Sequence, residues 1–233
     1  MSGLPYRTAL IVGAGSGVSA SVAKALAAEG IRVGLAARDT GKLAALAAEI
    51  GAETFAVDAS VPVAVTKLFA QVDAQIGEPD IVLYNAAARV HGPIADLDPA
   101  EVARAIAVSA YGGFLVTQQA TRRMERHGVG AILLTGATAS VKGFAQSAAF
   151  AMGKFALRGL AQSAARELAP KGIHVAHIVI DGAIRSATRP DLADHPDRTL
   201  DPDAIACTYI DLLRQHRSAW TWEIEIRPWL ETF

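Results

Sequence analysis

The chain has 233 residues, of which 52% are hydrophobic and 19% are charged. This composition excludes a disordered chain, and because no Pro-, Gly- and Ser-rich stretch divides the sequence, we expect one domain covering residues 1–233. Lys and Arg number 22 against 23 Asp and Glu, so no net positive charge favours a nucleic acid or an anionic membrane as partner.

The cysteine content and the N-terminal residues bear on the cellular compartment. The single cysteine, Cys207, excludes an internal disulfide and a Cys-based zinc cluster, and we expect it to be a small core residue. The first fifteen or so residues lack the basic region, long apolar stretch and cleavage site of a signal peptide, and no later run would cross a membrane. We therefore expect a cytoplasmic protein with no membrane contact.

Short apolar runs alternate with longer alanine-rich patterns along the chain. The apolar runs predict strands at residues 8–12, 32–37, 54–57, 80–84, 131–135, 174–180 and 222–226. The alanine-rich patterns predict helices at residues 17–29, 40–50, 61–76, 99–126, 145–168 and 202–216. This alternation, with strands apolar on both faces, predicts an α/β fold with a Rossmann-like doubly wound sheet of seven mostly parallel strands and helices on both faces.

Two of the predicted helices carry start signals. Asp98 precedes Pro99, and Glu101 follows at the third helical position, which is the arrangement of a capping box. Asp201 precedes Pro202 in the same way, so we expect both aspartates to cap helix N-termini.

A glycine-rich loop, GAGSGV, directly follows the first predicted strand. Glycines at this point of a βαβ unit permit a tight turn and let backbone N–H groups approach a diphosphate, while the next helix presents its positive end to the same anion. The residues expected to bind a dinucleotide here are Gly13, Gly15, Ser16, Gly17 and Val18. A glycine-rich turn without a ligand is the alternative.

The spacing of this loop resembles the T-G-x-x-x-G-x-G loop of the short-chain dehydrogenase/reductase family, with Val12 and Ser19 in place of its first and last residues. Other family motifs are approximated in the family's order. They are Asp58 after the third strand, YNAAA at 84–88 for N-N-A-G, SAYGGF at 109–114 for N-x-x-G-x-F, and DGAIRS at 181–186 for P-G-x-x-x-T. The resemblance implies the fold predicted above and a nicotinamide cofactor.

The end of the second strand bears on which cofactor is bound. The first polar side chain there is Arg38, a guanidinium suited to the 2′-phosphate of NADP, whereas NAD enzymes place a carboxylate at this point. We expect NADP, with NAD less favoured, although an Arg lying over the adenine or on the surface would look the same. Asp39, one residue later, is expected to face solvent. By resemblance, Asp58 contacts the adenine and Asn85 the adjacent ribose, and the cofactor site also includes Ala59, Ala86, Gly182 and Ile184.

The family's catalytic positions are largely replaced. The resemblance implies a Tyr that exchanges the substrate proton, and this sequence has Phe150 there. Ala137, next to Thr138, stands at the position of the Ser that holds the substrate oxygen, and Ser109 at that of an Asn in the proton relay. Lys154 alone is retained. We expect it to bind the ribose hydroxyls of the cofactor, because an ammonium in so apolar a helix needs acceptors; the alternative is that it extends into solvent.

Another group would have to move the proton that the family Tyr moves. The candidates for moving the proton are Tyr111, His91 and, if burial lowers its pKa, Lys154 itself. Thr138 is a candidate for holding the substrate oxygen. Each is also compatible with a structural role. The sequence thus predicts an oxidoreductase acting on a small carbonyl or alcohol with a non-standard proton donor, or else an impaired nucleotide-binding sensor or partner subunit.

The remaining residues bear on metal binding, self-association and closure over the substrate. His174 and His177 lie three apart on one predicted strand and face opposite sides, so we expect no metal site. The resemblance implies a homodimer or homotetramer, for which the tryptophans of residues 218–233 are candidate contacts. By resemblance, residues 187–200 fall where family members close over substrate. Their small number predicts an open or shallow substrate site, and a surface loop of no special role is the alternative.

Overall fold

The computed structural model describes residues 4–186, 188–191 and 197–230. Seven parallel strands form one sheet in the order β3-β2-β1-β4-β5-β6-β7. They are β1 (Thr8–Val12), β2 (Arg32–Ala37), β3 (Glu53–Ala56), β4 (Ile81–Tyr84), β5 (Gly130–Thr135), β6 (Ile173–Ile180) and β7 (Glu223–Ile226). This confirms the predicted doubly wound sheet.

Helices cover both faces of this sheet. They are α1 (Val18–Ala28), α2 (Ala44–Ile50), α3 (Pro62–Gln75), α4 (Pro99–Ile106), α5 (Gly112–His127), α6 (Ala148–Leu168) and α7 (Pro202–Arg214). Apolar side chains of α3, α5 and α6 pack on one face, and those of α1 and α7 on the other. Within the described ranges, none of these helices has both the length and the apolar character needed to cross a bilayer.

The predicted helix over 99–126 is interrupted. One π-helical turn, Ala107–Tyr111, separates α4 from α5. The buried hydroxyl of Tyr84 donates a hydrogen bond to the Val108 carbonyl in this turn, and a Cβ at Gly112 would overlap the same hydroxyl. Because a buried phenol needs a hydrogen-bond partner, the helix widens where Tyr84 meets it. The apolar period hardly changes across one such turn, so the sequence pattern did not reveal it.

The predicted helix caps are present. The Asp98 carboxylate accepts from the Ala100 N–H at 2.9 Å, and the Asp201 carboxylate accepts from the Asp203 N–H at 2.9 Å. The other half of the predicted capping box does not form, because Glu101 accepts a hydrogen bond from Arg104 instead.

The expectation that Cys207 is a core residue is wrong, because its side chain is exposed. Helix α7 turns Ala206 and Tyr209 inward and leaves Cys207 on the solvent side. A small apolar residue on a largely apolar helix can lie on either face, and only the packing of the helix decides between them.

The sheet reverses its strand order at β1, which pairs with β2 on one side and β4 on the other. The loops after β1 and β4 therefore diverge from adjacent strand ends. In open parallel sheets a crevice forms at this point, outside the carboxyl ends of the strands. Residues 13–17 and 85–89 both lie at this crevice.

Candidate functional site

The glycine loop after β1 contains one glycine that has no space for a side chain and two glycines that have free space beside them. Gly13 has φ +85°, and a Cβ there would overlap the backbone nitrogen of Ala86. A Cβ added at Gly15 or Gly17 would have nothing within 4 Å, so the space beside these two glycines is free. Helix α1 begins after Gly17 without a side-chain cap, which leaves N–H groups at its positive end for an anion.

Ser19 connects this loop to the one after β4. Its hydroxyl donates to the Gly13 carbonyl at 3.1 Å and accepts from Asn85 Nδ2 at 2.7 Å. The Asn85 backbone N–H in turn donates to the Val12 carbonyl at 2.8 Å. The serine that replaces the family glycine thus ties the two loops together by hydrogen bonds that glycine could not make.

A cavity of about 660 Å³ opens beside β2 and β3, and we name it the Arg38 cavity. The predicted cofactor residues that line it are Gly13, Gly15, Ser16, Arg38, Asp58, Ala59, Asn85 and Ala86. Lys42 also lines it, which places a second cation near Arg38. Asp39 is exposed, as expected, and also borders the cavity. Its carboxylate accepts from the Gly41 N–H at 3.1 Å and lies 3.6 Å from Lys42 Nζ.

Asp58 is held in its charged form. Its Oδ1 accepts from the Ser60 hydroxyl at 2.6 Å and from the Ser60 N–H at 2.9 Å. The hydrogen bond from this hydroxyl, more than any other contact, keeps the pKa of the Asp58 carboxyl below its usual range. An ionised carboxylate here can accept from an amino group of a ligand in the cavity.

A second cavity, of about 530 Å³, lies over the carboxyl end of β5, and we name it the Lys154 cavity. The predicted site residues that line it are Gly15, Gly17, Val18, Asn85, Ala137, Thr138, Phe150, Lys154, Gly182 and Ile184. Gly15 and Asn85 line both cavities. The two spaces therefore meet at the glycine loop and form one elongated crevice.

Lys154 lies at the floor of its cavity and does not extend into solvent. The side chain is 3% exposed, and Nζ donates to the Thr135 carbonyl at 2.6 Å. Burial, reinforced by the charge of Arg89, lowers the pKa of Lys154 to about 8. A buried ammonium with one protein acceptor has donors left for a ligand.

Phe150 packs one helical turn before Lys154, and its ring centroid lies 5.8 Å from Nζ. The ring is 7% exposed, and the guanidinium carbon of Arg89 lies 4.2 Å from its centroid on the cavity side. The ring therefore contacts a cation at the place where the sequence resemblance implies a phenol. It carries no group that exchanges a proton.

The remaining predicted catalytic residues are dispersed. Thr138 lines the Lys154 cavity, and Ala137 donates its N–H to the Ser140 hydroxyl at 3.1 Å. Ser109 is fully buried, lines neither cavity and accepts from the Ala88 N–H at 3.1 Å, so it holds the loop that leads to Arg89.

Tyr111 and His91 also line neither cavity. Tyr111 is 46% exposed and stacks on Phe114 with ring centroids 6.2 Å apart. His91 is exposed in the loop after β4. Neither side chain is placed beside Lys154, so the structure does not bring them together with the retained lysine.

Two histidines behind the cavity are structural. His177 is fully buried, with Nδ1 3.0 Å from Glu223 Oε2, and Glu223 also accepts from Arg158 at 2.6 and 2.7 Å. Burial lowers the pKa of His177 to about 4, so the ring is neutral with its proton on Nδ1, since a carboxylate only accepts. His174 lies against Thr221. No group of three possible metal ligands occurs in the part of the chain that the structure describes.

Among the lining residues with polar side chains, three were not foreseen from the sequence. They are Arg89 and Ser147 in the Lys154 cavity and Lys42 in the Arg38 cavity. The signal for Arg89 was a charged residue directly after the YNAAA motif, and for Lys42 a second cation four residues after Arg38. The segment expected to close over substrate, 187–200, is described only at 188–191 and 197–200, and Arg189 from it lines the Lys154 cavity.

Comparisons with known proteins agree with this geometry. A family model described as "short chain dehydrogenase" matches residues 7–196. A versicolorin reductase from Emericella nidulans is 34% identical over 189 residues, which cover 78% of this chain and 71% of that protein.

Two solved structures are similar over nearly their whole length. A short-chain dehydrogenase from Rhodopseudomonas palustris is 38% identical, with a TM-score of 0.82, over 96% of this chain and 99% of the other. A metagenomic short-chain oxidoreductase in complex with NADP is 30% identical, with a TM-score of 0.85, over 98% of this chain and 100% of the other.

Proposed function

The chain belongs to the short-chain dehydrogenase family, and on that premise we propose that it is an NADP-dependent oxidoreductase in which Lys154 supplies the proton that a phenol supplies in the family. Its substrate is a small carbonyl compound or the corresponding alcohol. The observation that carries the proposal is the buried Lys154 ammonium at the floor of an open crevice that begins at the glycine loop. The reductase and dehydrogenase names of its relatives favour an enzyme over the non-enzymatic alternative.

The crevice fits a dinucleotide in shape and in chemistry. Gly15 and Gly17 leave room for a diphosphate, and the uncapped start of α1 offers N–H donors to it. Asp58 and Asn85 would hold the adenosine half in the Arg38 cavity, and Lys154 would bind the ribose hydroxyls of the nicotinamide half. When bound in reduced form, the cofactor supplies a hydride to a carbonyl carbon, whose oxygen then needs one proton.

Arg38 and Lys42 support NADP over NAD. Both cations line the cavity in which the adenosine ribose would lie, and a 2′-phosphate would give them an anionic partner. The carboxylate of Asp39 uses part of its acceptor capacity on the Gly41 N–H and lies 3.6 Å from Lys42 Nζ. The NADP complex of the metagenomic relative supports the same choice.

Lys154 is the proton carrier that the geometry favours. Phe150 has no exchangeable proton, and Tyr111 stacks outside the cavity. The lowered pKa of Lys154 makes its ammonium a stronger acid than an exposed lysine and brings it closer to the pH at which proton transfer is efficient. In reduction Lys154 gives its proton to the substrate oxygen and is reprotonated from solvent, and in oxidation it takes that proton back.

We also propose that the protein self-associates as a dimer or tetramer through α5, α6 and the π-helical turn. These neighbouring elements expose large apolar side chains, namely Tyr111, Phe114, Met152 and Phe155. Apolar patches of this kind mark protein interfaces. Among the tryptophans expected at an interface, Trp222 packs on the core and Trp220 stacks on His174, whereas Trp229 is exposed.

Cofactor titration followed by single turnover tests this function. NADPH and NADH are titrated by fluorescence against the unaltered protein, Lys154→Met and the matched control Lys67→Met, whose lysine is exposed on α3. Bound NADPH is then mixed with reactive diketones and quinones. We expect NADPH to bind more tightly than NADH, with binding and turnover lost only in Lys154→Met. Equal behaviour of the two variants, or no turnover with any carbonyl, would overturn the proposal.

A further inference from the structure

The Lys154 cavity has an excess of positive charge. Its lining includes Arg89, Lys154, Arg185 and Arg189, and it includes no Asp or Glu among the residues that the structure describes. The diphosphate of a dinucleotide would lie at the glycine loop, where the N-terminus of α1 receives it. The cations over Phe150 therefore remain available to a second anion.

Arg185 is neutralised within the protein. Its guanidinium lies 3.3 Å from Asp191 and is also hydrogen-bonded to Asp201. Arg89, in contrast, has no carboxylate partner within the described ranges of the chain, and its contact is the Phe150 ring. A guanidinium that lines a cavity without a counter-ion is a binding group for an oxyanion.

The stacking on Phe150 leaves this guanidinium ready for an anion. The Arg89 Cζ lies 4.2 Å from the Phe150 ring centroid, which is a cation–π contact, and the ring offers no oxygen acceptor that would occupy the N–H donors in the guanidinium plane. Those in-plane donors match the two oxygens of a carboxylate or phosphate in a bidentate pair. Phenylalanine places no hydroxyl in this position to compete for them.

The backbone that carries Arg89 is also fixed. The buried Ser109 hydroxyl accepts from the Ala88 N–H, and Gly153 of α6 approaches so closely that a Cβ there would lie 2.7 Å from Ser109 Cβ. The residue before Arg89 is therefore held against the same helix that carries Phe150 and Lys154. Fixing the backbone lowers the entropy lost when the guanidinium binds a ligand.

From these contacts we propose that the substrate carries an oxyanion, a carboxylate or a phosphate, which Arg89 binds above the Phe150 ring. This inference rests on the proposed function, since the anion is assigned to the molecule whose carbonyl or alcohol is converted. Arg89 is then the residue that selects oxo acids or phosphorylated carbonyl compounds over neutral ones. An anion placed there also offsets the repulsion between the Arg89 and Lys154 charges.

Matched substrate pairs test the inference. The NADPH-loaded protein is assayed with pyruvate against methyl pyruvate and with glyceraldehyde 3-phosphate against glyceraldehyde, so the two arms distinguish carboxylate from phosphate. Calorimetry of oxamate and methyl phosphate on the NADP-loaded protein provides a readout without turnover. The variants are Arg89→Gln and Arg89→Lys. The control is Arg122→Gln, which removes one charge of α5 outside the cavity lining.

We expect one anionic member of a pair to be preferred, with its kcat/KM and its binding constant falling about 10- to 100-fold in Arg89→Gln. Arg89→Lys keeps the charge without the planar fork and should lose less. The kcat/KM of the neutral substrates should change much less in Arg89→Gln, because for them only the loss of the Arg89 charge beside Lys154 matters. Arg122→Gln should change neither class of substrate. No anion preference in the unaltered protein, or equal losses for charged and neutral substrates, would overturn the inference and leave the proposed function standing. Arg89-dependent anion binding without turnover of any carbonyl would leave an oxyanion site at Arg89 but would overturn the proposed function and the assignment of that anion to its substrate.

Discussion

Arg89 lies over the ring of Phe150, with its guanidinium carbon 4.2 Å from the ring centroid. Lys154 approaches the same ring, with Nζ 5.8 Å from the centroid. One apolar ring therefore contacts two cations at the position where the sequence resemblance implies a proton-donating phenol. The lysine that the same resemblance implies is buried beside this ring.

The replacement of Phe150 by Tyr should restore a phenolic donor beside Lys154. Since a well-placed general acid contributes about 10²–10⁴ in rate, we expect the single-turnover oxidation of bound NADPH to accelerate about 100-fold or more. Phe144→Tyr, which adds a hydroxyl to another ring of the same cavity, is the control. An unchanged rate in Phe150→Tyr would show that the Lys154 ammonium already supplies the proton as efficiently as a phenol would.

Lys154→Met should make the protein more stable while it abolishes cofactor binding. The pKa of Lys154 is about 8 in the folded protein against an ordinary value of 10.5, so the unfolded chain binds this proton more tightly. Below pH 8 this difference lowers the free energy of unfolding by about 3 kcal/mol, and the loss disappears as the pH rises from 8 to 10.5. Loss of the hydrogen bond to Thr135 offsets about 1 kcal/mol.

At pH 7 we therefore expect urea unfolding to show a net gain of about 2 kcal/mol in Lys154→Met. Lys67→Met, at an exposed position, should change the free energy of unfolding by less than about 0.5 kcal/mol. A loss of stability in Lys154→Met would mean that the buried ammonium is better compensated than its contacts indicate.

His177 should make the fold sensitive to mild acid. Its pKa is about 4 in the folded protein against 6.5 ordinarily, so the unfolded chain takes up a proton as the pH falls below 6.5 and the folded protein does not. The free energy of unfolding therefore keeps its full value above pH 6.5 and declines as the pH falls from 6.5 to 4. Between pH 7 and pH 5 we expect a loss of about 2 kcal/mol in the free energy of unfolding.

His177→Gln should flatten this pH dependence, whereas His91→Gln, in an exposed loop, should leave it intact. Measurements above pH 5 isolate His177 from Glu223, whose pKa is held below its usual range chiefly by the Arg158 hydrogen bond. An equally steep decline in His177→Gln would assign the acid sensitivity to other groups.

A double variant, Arg38→Leu with Lys42→Met, should lower the preference for NADPH over NADH. Because both cations line the cavity assigned to the adenosine ribose, their removal should weaken NADPH binding about 10- to 100-fold. NADH binding should stay within about twofold, because it has no phosphate for them to hold. Fluorescence titration measures both constants, with Arg122→Leu as the control. A parallel loss for the two cofactors would contradict a role in phosphate recognition.

Gly13→Ala should lower the stability of the fold, whereas Gly15→Ala should weaken cofactor binding. Gly13 has a positive φ and no room beside Ala86, so alanine there should cost about 1–3 kcal/mol or more in the free energy of unfolding. Gly15 has free space where a Cβ would lie, so alanine there should fold normally but intrude on the diphosphate. Thermal melts and NADPH titrations of both variants separate the two effects, and a stable Gly13→Ala protein would contradict the first.

Most of the fold was predictable because its signals are local. Strands buried on both faces produce continuous apolar runs, and Asp98 and Asp201 cap their helices within two residues along the chain. The π-helical turn was not predictable, because it depends on the Tyr84 hydroxyl reaching Val108 from a different strand. The exposure of Cys207 likewise depends on how α7 is rotated against the sheet.

The candidate site was likewise predictable only in part. The glycine loop and Arg38 were predicted from their positions after a strand, and Lys154 from the resemblance to the family. The structure places all of them along the crevice. Only the folded chain decided which cations keep a free charge. Arg185 meets Asp201 from 16 residues away, while Arg89 meets the Phe150 ring from a different element. Such pairings join segments that are distant in sequence, so no local sequence pattern predicts them.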